Sequence, residues 1–115
     1  MKDTELTRKW IAALRSGSYK QGHYCLRTKV DSFCCLGVLC DLYSSDGWKK
    51  SDLNEYYYTG SLDFSASGIH NIIPPEEAMS QAGISPEEAG ELIGMNDLES
   101  RSFKEIADFI EGTLQ

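Results

Sequence analysis

Eight residues, Phe33-Cys34-Cys35-Leu36-Gly37-Val38-Leu39-Cys40, constrain this chain more than any other stretch. They hold three of its four cysteines, two of them adjacent, and one glycine in an otherwise apolar run. Cysteine packs as a small hydrophobe, so such a run reads first as core. Gly37 lets a helix approach a neighbour closely. The block admits three readings: a packed strand-to-helix junction, a reactive thiol at a helix start, or part of a metal site.

Spacing argues against the metal. The candidate ligands are His23, Cys25, Cys34, Cys35, Cys40 and His70. Structural zinc sites pair cysteines two to four residues apart on a turn. Here the steps between successive cysteines are nine, one and five residues. Adjacent cysteines in a strand also point to opposite faces. No metal and no cofactor are expected.

A chain of 115 residues reads as one domain, 1–115, able to bury a modest core. No apolar run is long enough to span a membrane. Met1-Lys2-Asp3-Thr4-Glu5 opens the chain without a secretory pattern, so a cytoplasmic protein with reduced thiols is expected.

Charge divides the chain. Residues 1–50 hold nine basic and five acidic residues; residues 51–115 hold two basic and thirteen acidic. The total of −7 argues against a general nucleic-acid binder. A local basic patch in the first half suits a phosphate-bearing ligand, and the acidic half suits a basic protein surface.

Local signals mark the elements. Asp3 or Thr4 caps a helix that Gly17 ends, with Leu6, Trp10, Ala13 and Leu14 as its buried stripe. A strand is expected over residues 23–30. Alternation puts Tyr24, Leu26, Thr28 and Val30 on one face, and His23, Cys25, Arg27 and Lys29 on the other. Asp31-Ser32 turns the chain, Phe33 and Cys34 complete a hairpin, and a helix follows to Tyr43. Residues 48–73 are irregular, with strands expected over 55–59 and 68–72. Pro74-Pro75 opens a helix that Gly83 ends. Ser85/Glu88 and Ser102/Glu105 are capping boxes for two more, separated by a turn at residues 94–97. The fold class is α+β: a small antiparallel sheet packed against an N-terminal helix and C-terminal helices.

Two chemistries can be drawn from these residues. Arg27 and Lys29 on the open strand face, with Lys20 and nearby Tyr19 or Tyr24, form a candidate anion site. Arginine makes paired contacts to phosphate, and the tyrosine-bearing middle of the chain can close over a nucleotide-like ligand. The alternative is a cysteine-dependent hydrolase. A thiol at a helix start is ionised more readily, which would suit Cys35. The segment Phe33 to Val38 resembles the aromatic-Asp-Cys-Ser-Gly-aliphatic motif of NlpC/P60 cysteine peptidases. That resemblance implies Cys35 as nucleophile and His70 as base. Cys34 stands where the motif has Asp, and Leu36 where it has Ser.

A wider pattern spans most of the chain. It runs from Trp10 to Leu14, through Arg15-Ser16-Gly17-Ser18-Tyr19-Lys20-Gln21-Gly22, Leu26-Arg27-Thr28, the block from Phe33 to Leu42 and Ile73-Pro74. Met95-Asn96-Asp97 and the stretch from Ser102 to Glu111 close it. In order and spacing this resembles a broad family of small proteins of tailed phages and prophages. The resemblance implies action by binding in a host cytoplasm, as an accessory or anti-defence protein. It would sequester a nucleotide-like signal or block a host protein, and such proteins are often homo-oligomers. It carries over no catalytic residue.

Overall fold

The computed structural model describes residues 1–61 and 72–114. Helix α1 spans Glu5–Ser16. The Thr4 hydroxyl accepts from the Thr7 amide, and Gly17 closes the helix at φ 77°, a left-handed value that glycine adopts without strain. Its buried stripe is Thr7, Trp10, Ile11 and Leu14. Leu6 and Ala13, expected in that stripe, flank it half-buried.

Helix α2, Cys35–Tyr43, is the centre of the molecule. Its first six residues are buried on every side, as expected of a helix that is apolar all round. The Cys34 thiol caps it, accepting from the Gly37 amide at 3.4 Å. The buried Trp10 indole donates to the Cys35 carbonyl at 2.8 Å and ties α1 to this start. Helix α3, Glu76–Gln81, and helix α4, Pro86–Ile93, pack against α2. Helix α5, Phe103–Gly112, lies along α1, where Arg15 reaches Asp108 at 2.7 Å and Glu111 at 3.2 Å. Both expected capping boxes form.

The sheet elements are short. Strand β1, Lys20–Gln21, pairs in parallel with β2, Ser32–Phe33. Strand β3, Trp48–Lys50, pairs antiparallel with β4, Tyr56–Tyr58. The fold is therefore α+β. Among the described residues, no helix is long and apolar enough to cross a membrane.

Three expectations need correction. The stretch over residues 23–30 bends instead of extending, and only Arg27 bridges, antiparallel, to Phe33. Tyr24 takes a left-handed φ of 70°, which breaks the alternation. Leu26 is therefore fully buried, while Tyr24 and Val30, expected on the same face, stand 68% and 69% exposed. Strand β2 pairs in parallel with β1, and the expected hairpin is reduced to the Arg27–Phe33 bridge with its flanking bonds, Thr28 amide to Ser32 carbonyl and Cys34 amide to Leu26 carbonyl. The turn at residues 94–97 is instead a π-helical turn, Gly94–Leu98, that continues α4. The strand expected over 68–72 falls mainly outside the described residues.

Candidate anion-binding site

The block of cysteines is core. Cys35 does begin a helix, but its side chain is fully buried and its thiol points to the Leu92 carbonyl at 3.7 Å. Burial, then the neighbouring Cys34 and Asp97, push its pKa well above the ordinary value. Burial likewise pushes Cys34 up to about 12 and raises Cys40. Desolvation outweighs the helix-start effect that would have made Cys35 a nucleophile. His70, its expected base, lies outside the described residues. Among the described residues, no group of three or more His, Cys, Asp or Glu side chains could hold a metal ion. Cys25 alone of the four is half-buried. A thiol reagent added to the native protein therefore labels Cys25, and Cys34, Cys35 and Cys40 react only on unfolding. Peptide mapping of the label in buffer and in denaturant checks this.

Chemistry gathers instead around Arg27. The Arg27 guanidinium lies 3.8 Å from the centre of the Tyr56 ring, 5.2 Å from Phe33 and 5.4 Å from Trp48. Cations are attracted to the negative face of such rings. Three separate elements supply the rings. Phe33 comes from β2, Trp48 from β3 and Tyr56 from β4. The register places Trp48 opposite Tyr58 and Lys50 opposite Tyr56, so alternation puts all four on one face of the hairpin. Trp48 meets Phe33, Tyr56 and Tyr58 edge-on, with centres 5.9, 6.4 and 4.9 Å apart. The Lys50 ammonium approaches the Tyr56 ring to 4.9 Å.

The guanidinium carries an anion from its own chain. Nε and Nη2 of Arg27 donate to one oxygen of Asp31, at 3.0 and 2.6 Å. Hydrogen bonding from Arg27 holds the Asp31 carboxyl below its ordinary pKa, aided by the Tyr56 hydroxyl and the Lys50 charge. Arg27 thus holds the carboxylate directly, and Lys50 and Tyr56 of the neighbouring hairpin add to the favourable field around it.

The other expected ligand residues divide. Lys29 reaches the same hairpin, with its ammonium 3.9 Å from Glu55. Tyr19 backs the cluster from the core side. Its ring meets Phe33 edge-on at 5.1 Å, and its hydroxyl donates to Asp41 at 2.6 Å. The Trp48 indole donates to the other oxygen of Asp41 at 3.0 Å. Burial, then this hydrogen bond, push Tyr19 up to about 12, so it acts as a neutral donor. Lys20 is exposed on β1. Tyr24 turns elsewhere: its amide donates to the buried Asp97 carboxylate at 3.0 Å.

Sequence reasoning missed Asp31, Phe33, Trp48, Lys50 and Tyr56 as members of this cluster. The tyrosine triplet and the Lys49-Lys50 pair carried the available signal, since strand alternation selects one face from each. Nothing local announced that Arg27 would meet that face.

A family model described as "Domain of unknown function (DUF8296)" matches residues 1–114. No curated protein and no solved structure matches the chain.

Proposed function

The chain belongs to the DUF8296 family, and from that premise we propose that it acts by binding a small phosphate-bearing ligand on the Arg27 face. One observation carries this reading: Arg27 binds the Asp31 carboxylate with two N–H groups while both it and Lys50 lie against the Tyr56 ring. A planar guanidinium suits paired contacts to phosphate oxygens, and a second cation nearby strengthens them. Aromatic walls hold the guanidinium in place before any ligand arrives, which lowers the ordering cost of binding. The burial of Cys35 argues against the hydrolase. The resemblance to small phage proteins supports an accessory role in a host cytoplasm, where the ligand would be a nucleotide-like signal.

Calorimetric titration with a panel of nucleotides and cyclic nucleotides tests this. The wild-type protein binds at least one phosphate ligand. The Arg27→Gln variant loses roughly tenfold or more in affinity, the scale expected for a lost charge-assisted contact. Absence of binding by any phosphate compound ends the reading.

A second reading, inhibition of a host protein, rests on Tyr24. This aromatic residue stands exposed in a left-handed conformation, with its amide fixed by Asp97. Strained, exposed residues cluster at recognition loops. Cross-linking from a photoreactive residue at position 24 in host lysate separates the readings. A specific adduct favours the protein partner.

A further inference from the structure

We propose that Asp31 is an internal occupant of the Arg27 site, and that a terminal phosphate monoester on a nucleotide takes its place. The inference rests on the binding reading above and adds the ligand's reactive group and the competitor it displaces.

The geometry makes the Asp31 side chain dispensable to its surroundings. The turn that carries it is closed by other bonds. The Thr28 amide donates to the Ser32 carbonyl at 2.8 Å, and the Asp31 amide to the Thr28 carbonyl at 3.1 Å. The Thr28 and Ser32 hydroxyls meet at 2.6 Å, and the Ser32 amide donates to the Thr28 hydroxyl at 3.2 Å. None of these uses the carboxylate. Arg27 in turn is held by three rings. Each partner is positioned without the ion pair.

The pair is also lopsided in exposure. The Arg27 side chain is 20% exposed and the Asp31 side chain 61%. The carboxylate is the outer partner, on the side from which another anion would come. Exposed ion pairs of this kind are weakly held and exchange readily.

Charge identifies the better occupant. Arg27 and Lys50 lie 3.8 and 4.9 Å from the same Tyr56 ring, so two positive charges gather where Asp31 supplies one negative charge. Lys29 is turned toward Glu55. A phosphate monoester carries close to two negative charges near pH 7 and offers three acceptor oxygens. These match the two cations, Arg27 and Lys50, that gather at the Tyr56 ring. A phosphodiester or a carboxylate, with one charge each, leaves the same excess that Asp31 leaves.

Calorimetry at fixed ionic strength tests this with inorganic phosphate, 5′-AMP, 3′,5′-cyclic AMP and acetate. The proteins are the wild type, Asp31→Asn and Lys50→Ala. Asparagine tolerates the left-handed φ of 59° at position 31, and Asp31→Gly serves as a second variant there. Removing the internal anion tightens 5′-AMP binding roughly fivefold to tenfold, the effect of one charge near a surface. Lys50→Ala weakens it by a similar factor, and cyclic AMP and acetate bind less tightly than 5′-AMP throughout. Inorganic phosphate binding as tightly as 5′-AMP would show that the nucleoside contributes nothing, overturning the nucleotide assignment. Equal binding of 5′-AMP and cyclic AMP overturns the dianion. If wild type binds 5′-AMP and both position-31 variants bind it no better, Asp31 is not a competitor, although the binding reading survives. If wild type and variants bind no phosphate while melting alike, the binding reading itself has failed.

Discussion

Alanine at Gly37 removes most of this protein's stability. A Cβ at this position would overlap the carbonyl oxygen of Leu26 and stand 2.7 Å from its carbon and 3.2 Å from its Cα. These are backbone atoms, so no side-chain rotation relieves the clash. Neither partner can retreat. Leu26 is fully buried, and its carbonyl also accepts from the Cys34 amide at 3.3 Å. Helix α2 is enclosed by the surrounding elements. Overpacking by a methyl group against movable side chains costs about 1–3 kcal/mol, and a backbone collision belongs at or above that range. Against a typical total of about 5–15 kcal/mol, the Gly37→Ala protein is marginal or unfolded. Gly90, inside α4, is the control, because an added Cβ there meets nothing within 4 Å. Gly90→Ala is neutral or stabilising by up to about 1 kcal/mol. Urea denaturation of the two variants beside the wild type reads both effects. A Gly37→Ala midpoint equal to that of the wild type would show that the α2–Leu26 approach is not as close as described.

Loss of the Asn96 side chain has the next largest effect. Asn96 is fully buried in the π-helical turn and makes four hydrogen bonds. Its oxygen accepts from Gln21 Nε2 at 2.9 Å and from the Cys35 amide at 3.3 Å. Its nitrogen donates to the Gly22 carbonyl at 2.9 Å and to Asp97 at 2.7 Å. One side chain therefore joins the end of β1, the first residue of α2 and the turn after α4. Asn96→Ala strands the buried Cys35 amide and Gly22 carbonyl and leaves a cavity. Each unsatisfied buried group costs about 1–3 kcal/mol, so a loss of about 2–4 kcal/mol is expected. The effect has a local signature. Amide exchange at Tyr24 and Cys35 accelerates more than exchange in α5, because Asp97 loses the neighbour that orients it toward the Tyr24 amide. Uniform acceleration across the chain would contradict the hub role.

These two positions show where the sequence is legible. Gly37 stood out as the only glycine in an apolar run, and its role in close packing could be read there. The identity of the neighbour, the Leu26 carbonyl, could not. Asn96 lay within a short turn-like stretch and gave no sign that its side chain would join β1, α2 and the turn after α4. A buried asparagine and an exposed one are written identically in a sequence. Arg27 was legible as a residue suited to anions. Its three aromatic neighbours come from β2, β3 and β4, and the carboxylate it holds was read only as turn chemistry.

The sequence by itself determined the five α-helices of the described residues and the caps that begin or end most of them. Thr4, Gly17, Ser85 with Glu88, and Ser102 with Glu105 act through bonds spanning a few residues, so their effect travels with the local chain. It also favoured a core role for the cysteine block, since desolvation favours burying apolar side chains in any fold, and the burial of Cys35 then closed the reactive-thiol alternative. Only the tertiary structure decided the course of residues 22–31, the parallel pairing of β1 with β2, and the composition of the Arg27 site. Alternation over residues 23–30 was a real pattern, but Asp97 claims the Tyr24 amide and the Leu26 carbonyl meets the start of α2. Contacts with residues distant in sequence outweighed a local strand preference that is worth little without a partner strand.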